Sequence, residues 1–584
     1  MHSSQTDKRY VVFTLVVLAI LAIFIYRLVW VQVIDAASIN QISKDARQAT
    51  RTIDAIRGNI IDNEGHILAT TVLSWDVNID PKNAGPVVLK ISGQKVAFSK
   101  EEIAQKLSEL LHVSKDELLT KMSGTARYAN LKKSVSAATY SKLKELDIPW
   151  VYFDLQQKRH YADGAVAGNL IGFVGSDGSA LEGVERMMNS CLAGTDGKET
   201  YIQGADLIRI PSSVKVIQQV RHGSDVVLSI NSDLQYSAQQ EMAATVRRLK
   251  ADWASAIVIE VATGRILAAA EAPSVDPNRP SGVQAQNRSS RIFRSSFEPG
   301  SILKPVAAAT AVDTGKANPT TKVVAPDKLR MPWGQYINDS EVHAPEKLTL
   351  TGVLVQSSNT GLVQLGGKVD SKTRYEYMKK FGMGVRSGVN FDGEASGLLT
   401  DYKNWDRMTD KTVMFGQGVS LTPIQTAGIY QAIANKGVRL SPVLVEGCMD
   451  KNGNLTKTAV DPPVQVLSEK TAATTIDMLE KVVEQGPIGK TARIQGYRVG
   501  GKTGTAQIAE GTGYGRLHAV SFVGLAPAEN PQFIVAVTAF KSRTVSNSLG
   551  ATPGFVAVMK QVLKTYAVPP STTKSKNIPT RWNK

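Results

Sequence analysis

Cysteine and histidine are scarce in this chain, which has two and seven of them among 584 residues. No two histidines are spaced as His-x-x-x-His, so a metal site is not expected. The two cysteines, Cys191 and Cys448, stand far apart in the sequence. We interpret them as free thiols in separate domains, and a structural disulfide is the alternative.

Acidic residues are outnumbered, because 68 Lys and Arg against 52 Asp and Glu give a formal net charge of +16. Such a balance suits nucleic acid, anionic lipid or an anionic cell wall. The sequence has no basic cluster interleaved with aromatic residues, so nucleic acid is not an expected partner. With 42% hydrophobic and 21% charged residues the chain can form a large core, and its length predicts at least two domains.

One long hydrophobic run lies near the N-terminus. Tyr10–Tyr26 contains no charged residue, and the apolar character resumes after Arg27. A helix of about 20 residues crosses the ~30 Å hydrocarbon layer, and Trp30 suits the membrane interface. Because Lys8 and Arg9 precede the run, we expect a cytoplasmic N-terminus and an extracytoplasmic main chain. A cleaved signal peptide is the alternative, but the run is long and no clear Ala-x-Ala site follows it.

Turn and helix-capping signals predict the elements in the sequence that follows this run. Residues 63–65 form a turn between two apolar runs and predict a hairpin, while Ser99 and Ser114 begin capping-box patterns that predict a helical insertion near 99–122. The fold class expected is mixed α/β, with an antiparallel sheet flanked by helices in the second domain. The predicted parts are a cytoplasmic N-terminus at 1–9, a transmembrane anchor at 10–31, a non-catalytic α+β pedestal at 32–230, a catalytic domain at 231–567 and a disordered basic tail at 568–584.

Three short motifs follow one another in the second domain: Ser301–Lys304, Ser357–Asn359 and Lys502–Gly504. Each motif alone is weak, because serine and lysine are common. Together they supply a hydroxyl nucleophile, a proton acceptor, a second hydroxyl, an amide and a cation. The ordered trio therefore predicts an active-site-serine enzyme that attacks an amide and holds a carboxylate.

The first motif is expected at the start of a helix over residues 301–314. Pro305 supports this placement, because the first helical turn does not need its backbone N–H groups. Ser301 and Lys304 then face the same way, and the helix dipole stabilises a developing alkoxide. A buried Lys304 loses its proton near neutral pH and can deprotonate Ser301. Taken alone, the motif would instead be read as an N-cap and a surface lysine.

The second motif follows a predicted helix at 348–356. We expect Ser357 to relay a proton between Lys304 and the leaving nitrogen. Asn359 can bond the substrate's amide groups through both its oxygen and its nitrogen. A plain polar loop is the alternative for this tripeptide.

The third motif is expected on an edge strand. Lys502 supplies positive charge for a carboxylate, and Thr503 and Thr505 supply hydroxyls. The glycines of the segment, Gly504 among them, let a substrate backbone lie close. The backbone N–H groups of Thr505 and Ser301 are expected to form an oxyanion hole.

The third motif also satisfies, formally, the pattern of a phosphate-binding loop. Residues 496–503 read Gly-x-x-x-x-Gly-Lys-Thr. We reject this reading because the segment lies outside the cytoplasm, and because Gly504 ends any helix that would follow.

The three motifs resemble the signature of penicillin-binding proteins and serine β-lactamases. The segments at 57–58 and 183–185 resemble motifs of that family's pedestal, which is of the dimerisation type. Further segments resemble the class B transpeptidases, at 276–278, 297–300, 415–418, 421–425 and 521–524. The size, single anchor and simple pedestal are most similar to the septal, cell-division type, and the elongation type is the alternative.

The resemblance implies a peptidoglycan D,D-transpeptidase. Ser301 would attack the penultimate D-alanine carbonyl of a stem peptide, the terminal D-alanine would leave, and an amine of a neighbouring stem would take up the acyl group. It implies β-lactams as inhibitors that acylate Ser301, a membrane glycosyltransferase and division proteins as partners, and no cofactor.

Two other functions are alternatives. A D,D-carboxypeptidase or β-lactamase is disfavoured by the anchor and the large pedestal. A β-lactam sensor would need a cytoplasmic signalling part, for which residues 1–9 are too short, whereas a scaffold role is compatible with catalysis.

Overall fold

The structure is a computed structural model that describes residues 3–91, 94–175, 177–204, 210–511 and 513–583. Residues 1–2 of the expected cytoplasmic N-terminus and Lys584 of the expected tail lie outside the described residues. The chain divides into two compact units, Met1–Arg57 with Ala193–Gly223, and Gly58–Leu192 with Ser224–Lys584. Because residues 58–192 share a unit with the catalytic region, a domain boundary at 230 stays a prediction.

The first unit contains the apolar N-terminal helix and a small sheet. The helix Ser3–Val29 continues as a π-helical turn, Trp30–Ile34, and a second helix spans Ala36–Arg47. Within this part, Lys8–Ile34 is long and apolar enough to cross a membrane once, and it is not buried. The antiparallel sheet has the strand order Gln48–Ile53, Gly197–Ile202, Lys215–Gln218.

A seven-stranded sheet runs through the second unit. Strand Asp225–Leu228 pairs in parallel with Ile60–Ile61 and antiparallel with Val445–Met449, so early and late parts of the chain share one sheet. The predicted hairpin is present, since Ile60–Ile61 pairs antiparallel with Ile67–Ile79. The remaining strands of the sheet are Ala129–Val135, Val151–Tyr161 and Leu455–Lys457.

The predicted helical insertion packs on this sheet. Helices Lys100–Leu111 and Lys115–Lys121 begin after Ser99 and Ser114, whose side chains accept from the backbone N–H three residues on. At Ser99 the capping box is complete, because Glu102 bonds back to the Ser99 backbone. A third helix, Ala137–Glu145, joins the same core.

Cys191 and Cys448 form a disulfide, so the expectation of free thiols is wrong. The physical reason is the register of the sheet, in which Cys448 lies opposite Val226. Ser224 N donates to the Cys191 carbonyl at 2.9 Å, which places Cys191 beside the same strand. Spacing along the sequence carries no information about such a long-range register.

The catalytic region is built on a five-stranded antiparallel sheet, as predicted. Its strands, in spatial order, are Ile266–Ala272, Trp253–Glu260, Phe533–Ser542, Gly513–Ala526 and Gly500–Glu510. Side chains of the second strand alternate between the two faces of the sheet. Ala256 and Val258 join the core under helices Ser232–Leu249 and Thr552–Thr565, while Ile257 joins the core under Pro423–Ala434. Both faces are therefore covered by helices.

The other elements of this unit are shorter. Its remaining helices are Gly168–Ile171, Gly183–Met187, Asn189–Leu192, Arg291–Arg294, Lys304–Asp313, Leu350–Gln356, Asn359–Gly366, Ser371–Lys380, Thr409–Thr412 and Glu469–Gln485. Its two-stranded sheets are Val87–Ile91 with Gln94–Phe98, Lys322–Ala325 with Glu346–Thr349, Lys328–Arg330 with Tyr336–Asn338, and Val438–Arg439 with Val464–Gln465.

The C-terminal segment is ordered against the catalytic region, so the expectation of a disordered tail is wrong. Thr349 N donates to the Thr580 carbonyl at 3.1 Å, and Trp582 Nε1 donates to the Leu348 carbonyl at 3.0 Å. Arg581 forms an ion pair with Glu346. The basic, proline-containing composition suggested disorder, but Trp582 and the free backbone groups of strand Glu346–Thr349 anchor the segment.

Candidate active site

The predicted nucleophile lies on a tight turn that leads into a helix. Residues Gly300–Leu303 form a 3-10 turn, and the α-helix begins only at Lys304, with Pro305 in its first turn. The prediction of one continuous helix from Ser301 is thereby corrected. Gly300 has φ +57°, and a Cβ there would lie 2.6 Å from the Thr505 carbonyl oxygen, so only glycine fits.

Lys304 is buried, with 1% of its surface exposed, so the alternative of a surface lysine is wrong. Its Nζ donates to the Ser357 carbonyl and, at 3.2 Å, to Ser357 Oγ. Burial lowers the pKa of Lys304 to about 7, and the nearby negative charge of Asp339 acts in the opposite direction. Near neutral pH a large fraction of Lys304 is therefore an uncharged amine, able to accept a proton.

Ser301 lies three residues before Lys304 on the turn. Residues three apart on a 3-10 turn project on the same side, so the hydroxyl and the amine share one face. The Ile302 carbonyl between them accepts from the buried Tyr430 hydroxyl at 2.8 Å. This bond holds the turn against the core.

Ser357 lies at the junction of two helices, where the motif was expected to sit. It follows helix Leu350–Gln356 in a left-handed conformation, φ +58°, which is unfavourable for a residue other than glycine. Ser358 then caps helix Asn359–Gly366, because its Oγ accepts from Gly361 N at 2.9 Å. The break between the helices directs the Ser357 hydroxyl toward the lysine amines.

Lys502 approaches Ser357 from the edge strand Gly500–Glu510. Its Nζ donates to Ser357 Oγ at 3.0 Å and to Thr503 Oγ1 at 3.0 Å. The side chain is fully buried, and burial, followed by the positive charge of Lys304, lowers the pKa of Lys502 well below its usual value. An anion bound beside Lys502 would offset both effects, so the strand is suited to hold a carboxylate.

The glycine of the third motif is needed for packing. A Cβ on Gly504 would lie 2.6 Å from Ile302 Cγ2, so this position lets the strand approach the serine turn. The Gly504 carbonyl accepts from Ser548 Oγ at 2.8 Å, and Thr505 Oγ1 lies 3.5 Å from the same hydroxyl. A side chain at position 504 would therefore meet Ile302, and the approach of a substrate backbone along this strand stays a prediction.

Asn359 lies at the start of its helix and is half-buried. Its Nδ2 donates to the Asn338 carbonyl at 2.8 Å. This bond fixes the amide and uses one of its two N–H groups, which leaves the other N–H and the oxygen for a substrate amide.

Three further residues support the site and were not predicted, namely Asp339, Glu298 and Tyr514. Asp339 accepts from the Asn359 backbone N–H at 2.5 Å. Glu298 accepts from Gly418 N at 2.9 Å and from the Tyr514 hydroxyl at 3.0 Å. It thereby joins the segment just before the serine turn to strand Gly513–Ala526, which pairs with the edge strand. Single acidic or aromatic residues in loops give no local signal of such contacts. Within the described ranges, no group of three or more His, Cys, Asp or Glu side chains is arranged to hold a metal ion.

The fold and the three motifs define an active-site-serine acyl-transfer enzyme. Residues 254–560 match the family described as the penicillin binding protein transpeptidase domain, and residues 52–228 match the penicillin-binding protein dimerisation domain. The chain belongs to the penicillin-binding proteins, in the class B group of transpeptidases.

Relatives cover nearly the whole chain. PbpB of Mycolicibacterium smegmatis is 32% identical over 597 residues, which cover 97% of this chain and 92% of PbpB. FtsI of Escherichia coli is 29% identical over 99% of this chain and 95% of FtsI. The crystal structure of a peptidoglycan synthetase from Bifidobacterium adolescentis has a TM-score of 0.76 and 30% identity, and covers 92% of this chain and all 100% of that one.

Proposed function

We propose that the protein is a peptidoglycan D,D-transpeptidase that cross-links stem peptides through an ester on Ser301 during septal cell-wall synthesis. The relatives support this, because FtsI of Escherichia coli is named a peptidoglycan D,D-transpeptidase. The observation that carries the proposal is the meeting of two buried lysine amines, Lys304 and Lys502, at the Ser357 hydroxyl.

Acylation begins with Lys304 in its uncharged form. It accepts the proton of Ser301, whose Oγ attacks the carbonyl carbon of the penultimate D-alanine. The backbone N–H groups of Ser301 and Thr505 stabilise the oxyanion. As the C–N bond breaks, Ser357 gives its proton to the leaving nitrogen and takes one from Lys304, which ends the step neutral. The 3.2 Å separation of Lys304 Nζ and Ser357 Oγ supports this relay.

The terminal carboxylate of the stem binds beside Lys502. Thr503 and Thr505 donate hydroxyl hydrogen bonds to it, and Asn359 bonds the stem's amide. An incoming carboxylate favours the protonated form of Lys502, so binding and protonation are coupled. The lowered pKa of the buried Lys502 supports this coupling.

Deacylation transfers the acyl group to an amine of a neighbouring stem. The same relay runs in reverse: Ser357 accepts a proton from the attacking amine, and Ser301 recovers its own. Attack by water in place of the amine would make the protein a carboxypeptidase or a β-lactamase, and rapid turnover of a penicillin would identify that activity.

We place the catalytic region outside the cytoplasm and the N-terminus inside. The Cys191–Cys448 disulfide supports this orientation, because disulfides persist in oxidising compartments. Lys8 and Arg9, which precede the uncharged run Tyr10–Tyr26 within the N-terminal helix, support it as well. A membrane glycosyltransferase and division proteins are the partners proposed for the anchor and pedestal. The names PbpB and FtsI favour the septal role over the elongation role.

The test is labelling with a fluorescent penicillin followed by peptide mapping. A similar protein supports the choice of a penicillin as the label, since penicillin binding protein 3 of Mycobacterium tuberculosis has been crystallised with ampicillin. We expect one stable adduct on Ser301, which Ser301→Ala abolishes. Ser296→Ala is the matched control, because Ser296 is exposed and lies outside the motifs. Labelling that persists in Ser301→Ala would refute the assignment.

A further inference from the structure

The carboxylate of Asp339 holds the start of the helix that carries the second motif. Its Oδ1 accepts from the backbone N–H groups of Asn359 at 2.5 Å and Thr360 at 3.0 Å. These N–H groups belong to the first turn of helix Asn359–Gly366, where no partner exists within the helix and the dipole favours a negative charge. The helix begins two residues after Ser357, so its position constrains the Ser357 hydroxyl.

The other oxygen of Asp339 faces a histidine. Asp339 Oδ2 lies 3.1 Å from His343 Nε2, and His343 Nδ1 lies 2.8 Å from the Ala344 carbonyl. Both ring nitrogens therefore face oxygen acceptors, an arrangement that only the imidazolium satisfies fully. The Ala344 carbonyl, and after it the Asp339 carboxylate, raise the pKa of His343. Glu346 also adds negative charge on this side, although it is paired with Arg581.

Asp339 is also the acidic group whose charge acts on Lys304. Its side chain is only 7% exposed, so little solvent screens that charge. Two effects thus bias Lys304 in opposite directions: burial favours its uncharged form, and the carboxylate of Asp339 favours its protonated form.

We propose that Asp339 is a positioning residue of the transpeptidase site, which fixes Ser357 and Asn359 beside Lys304 and is itself held in place by His343. The inference rests on the proposed function. It adds a residue outside the three motifs, on the segment that follows strand Tyr336–Asn338.

Two separable consequences follow from neutralising Asp339. The helix start loses a charged acceptor, so the maximal rate of acylation should fall. Lys304 loses a neighbouring negative charge, so its pKa should fall further and the midpoint of the pH–rate profile should move to lower pH. A purely structural role would lower the rate without moving the midpoint in this direction.

The experiment compares acylation by fluorescent penicillin from about pH 5 to about pH 9, across the range in which Lys304 titrates. For Asp339→Asn we expect a maximal rate lower by roughly tenfold, the loss that corresponds to about 1.4 kcal/mol, and a midpoint at lower pH than in the wild type. Asp327→Asn is the matched control. Its backbone carbonyl accepts from Asp339 N at 2.8 Å, whereas among the described residues its side chain forms no hydrogen bond or ion pair with Asn359 or His343.

Two further variants keep the test decisive if Asp339→Asn folds poorly. Asp339→Glu retains the charge, so it should lower the rate and leave the midpoint at the wild-type pH. His343→Gln should lower the rate severalfold, because Asp339 loses the partner that orients it. An unchanged rate in Asp339→Asn and His343→Gln, or a rate loss in folded Asp339→Asn without the midpoint shift, would overturn the proposal. Failure of the proposed function is distinguishable, since the wild type itself would then not be labelled on Ser301.

Discussion

The rate of acylation should depend on pH through Lys304. Burial lowers the pKa of this lysine to about 7, so the amine is protonated below that pH and uncharged above it. Only the uncharged amine accepts the proton of Ser301. The rate should therefore rise with pH and level off above neutrality.

The size of the effect follows from the titration of a single group. At two pH units below its pKa an amine is only about 1% uncharged, and at one unit below it is about 10% uncharged. The acylation rate should accordingly fall about tenfold for each pH unit below about 7. An exposed lysine, whose pKa is about 10.4, would still be losing activity with falling pH well above neutrality.

The assay is the first-order rate of labelling at saturating fluorescent penicillin, measured after rapid quenching across the same pH range. Saturation separates the chemical step from binding, which depends on the charge of Lys502. Lys316→Met is a suitable control, because Lys316 is exposed beyond the end of the same helix and should not alter the profile. A flat profile, or a midpoint near that of an exposed lysine, would show that Lys304 is not the base.

Three further predictions concern stability. Replacing Cys191 and Cys448 by serine should lower the free energy of unfolding by about 2–5 kcal/mol, measured by denaturant unfolding without reductant; equal stability would contradict the disulfide. Trp582→Ala should destabilise by about 1–3 kcal/mol, because the ring loses its packing and its indole hydrogen bond, whereas exposed Asn583→Ala should have no effect. Lys304→Met should unfold at higher temperature than the wild type near neutral pH. Since burial lowers the pKa of Lys304, this lysine makes the wild type lose stability as pH falls from about 10 toward about 7, at about 1.4 kcal/mol per pH unit. The variant should lack this contribution of Lys304 and keep only that of Lys502.

Local signals in the sequence predicted the elements that depend on neighbouring residues. Ser99 and Glu102 form a capping box because both partners lie within one helical turn. The edge strand of the third motif was predicted from a short apolar stretch and glycines, and it is present as Gly500–Glu510. Pro305 located the start of the helix, although the preceding turn is 3-10.

Features that depend on residues far apart in the sequence were not predicted. The disulfide depends on a sheet register that places Cys448 opposite Val226, and no local pattern encodes that register. The tail is ordered because strand Glu346–Thr349 offers backbone groups to it, although its own composition is typical of disorder. Asp339 lies 20 positions before the asparagine whose backbone it holds, in a segment without periodicity.

The reactivity of the site is a consequence of close packing. The serine turn and the edge strand approach so closely that Gly300 and Gly504 leave no room for a Cβ. This approach removes solvent from Lys304 and Lys502, and burial is the largest cause of the lowered pKa at both. Two buried amines cost stability, which the helix-covered sheet must offset. Any substitution that separates the turn from the strand should therefore readmit water, raise the pKa of Lys304 and slow acylation, even if every motif residue is retained.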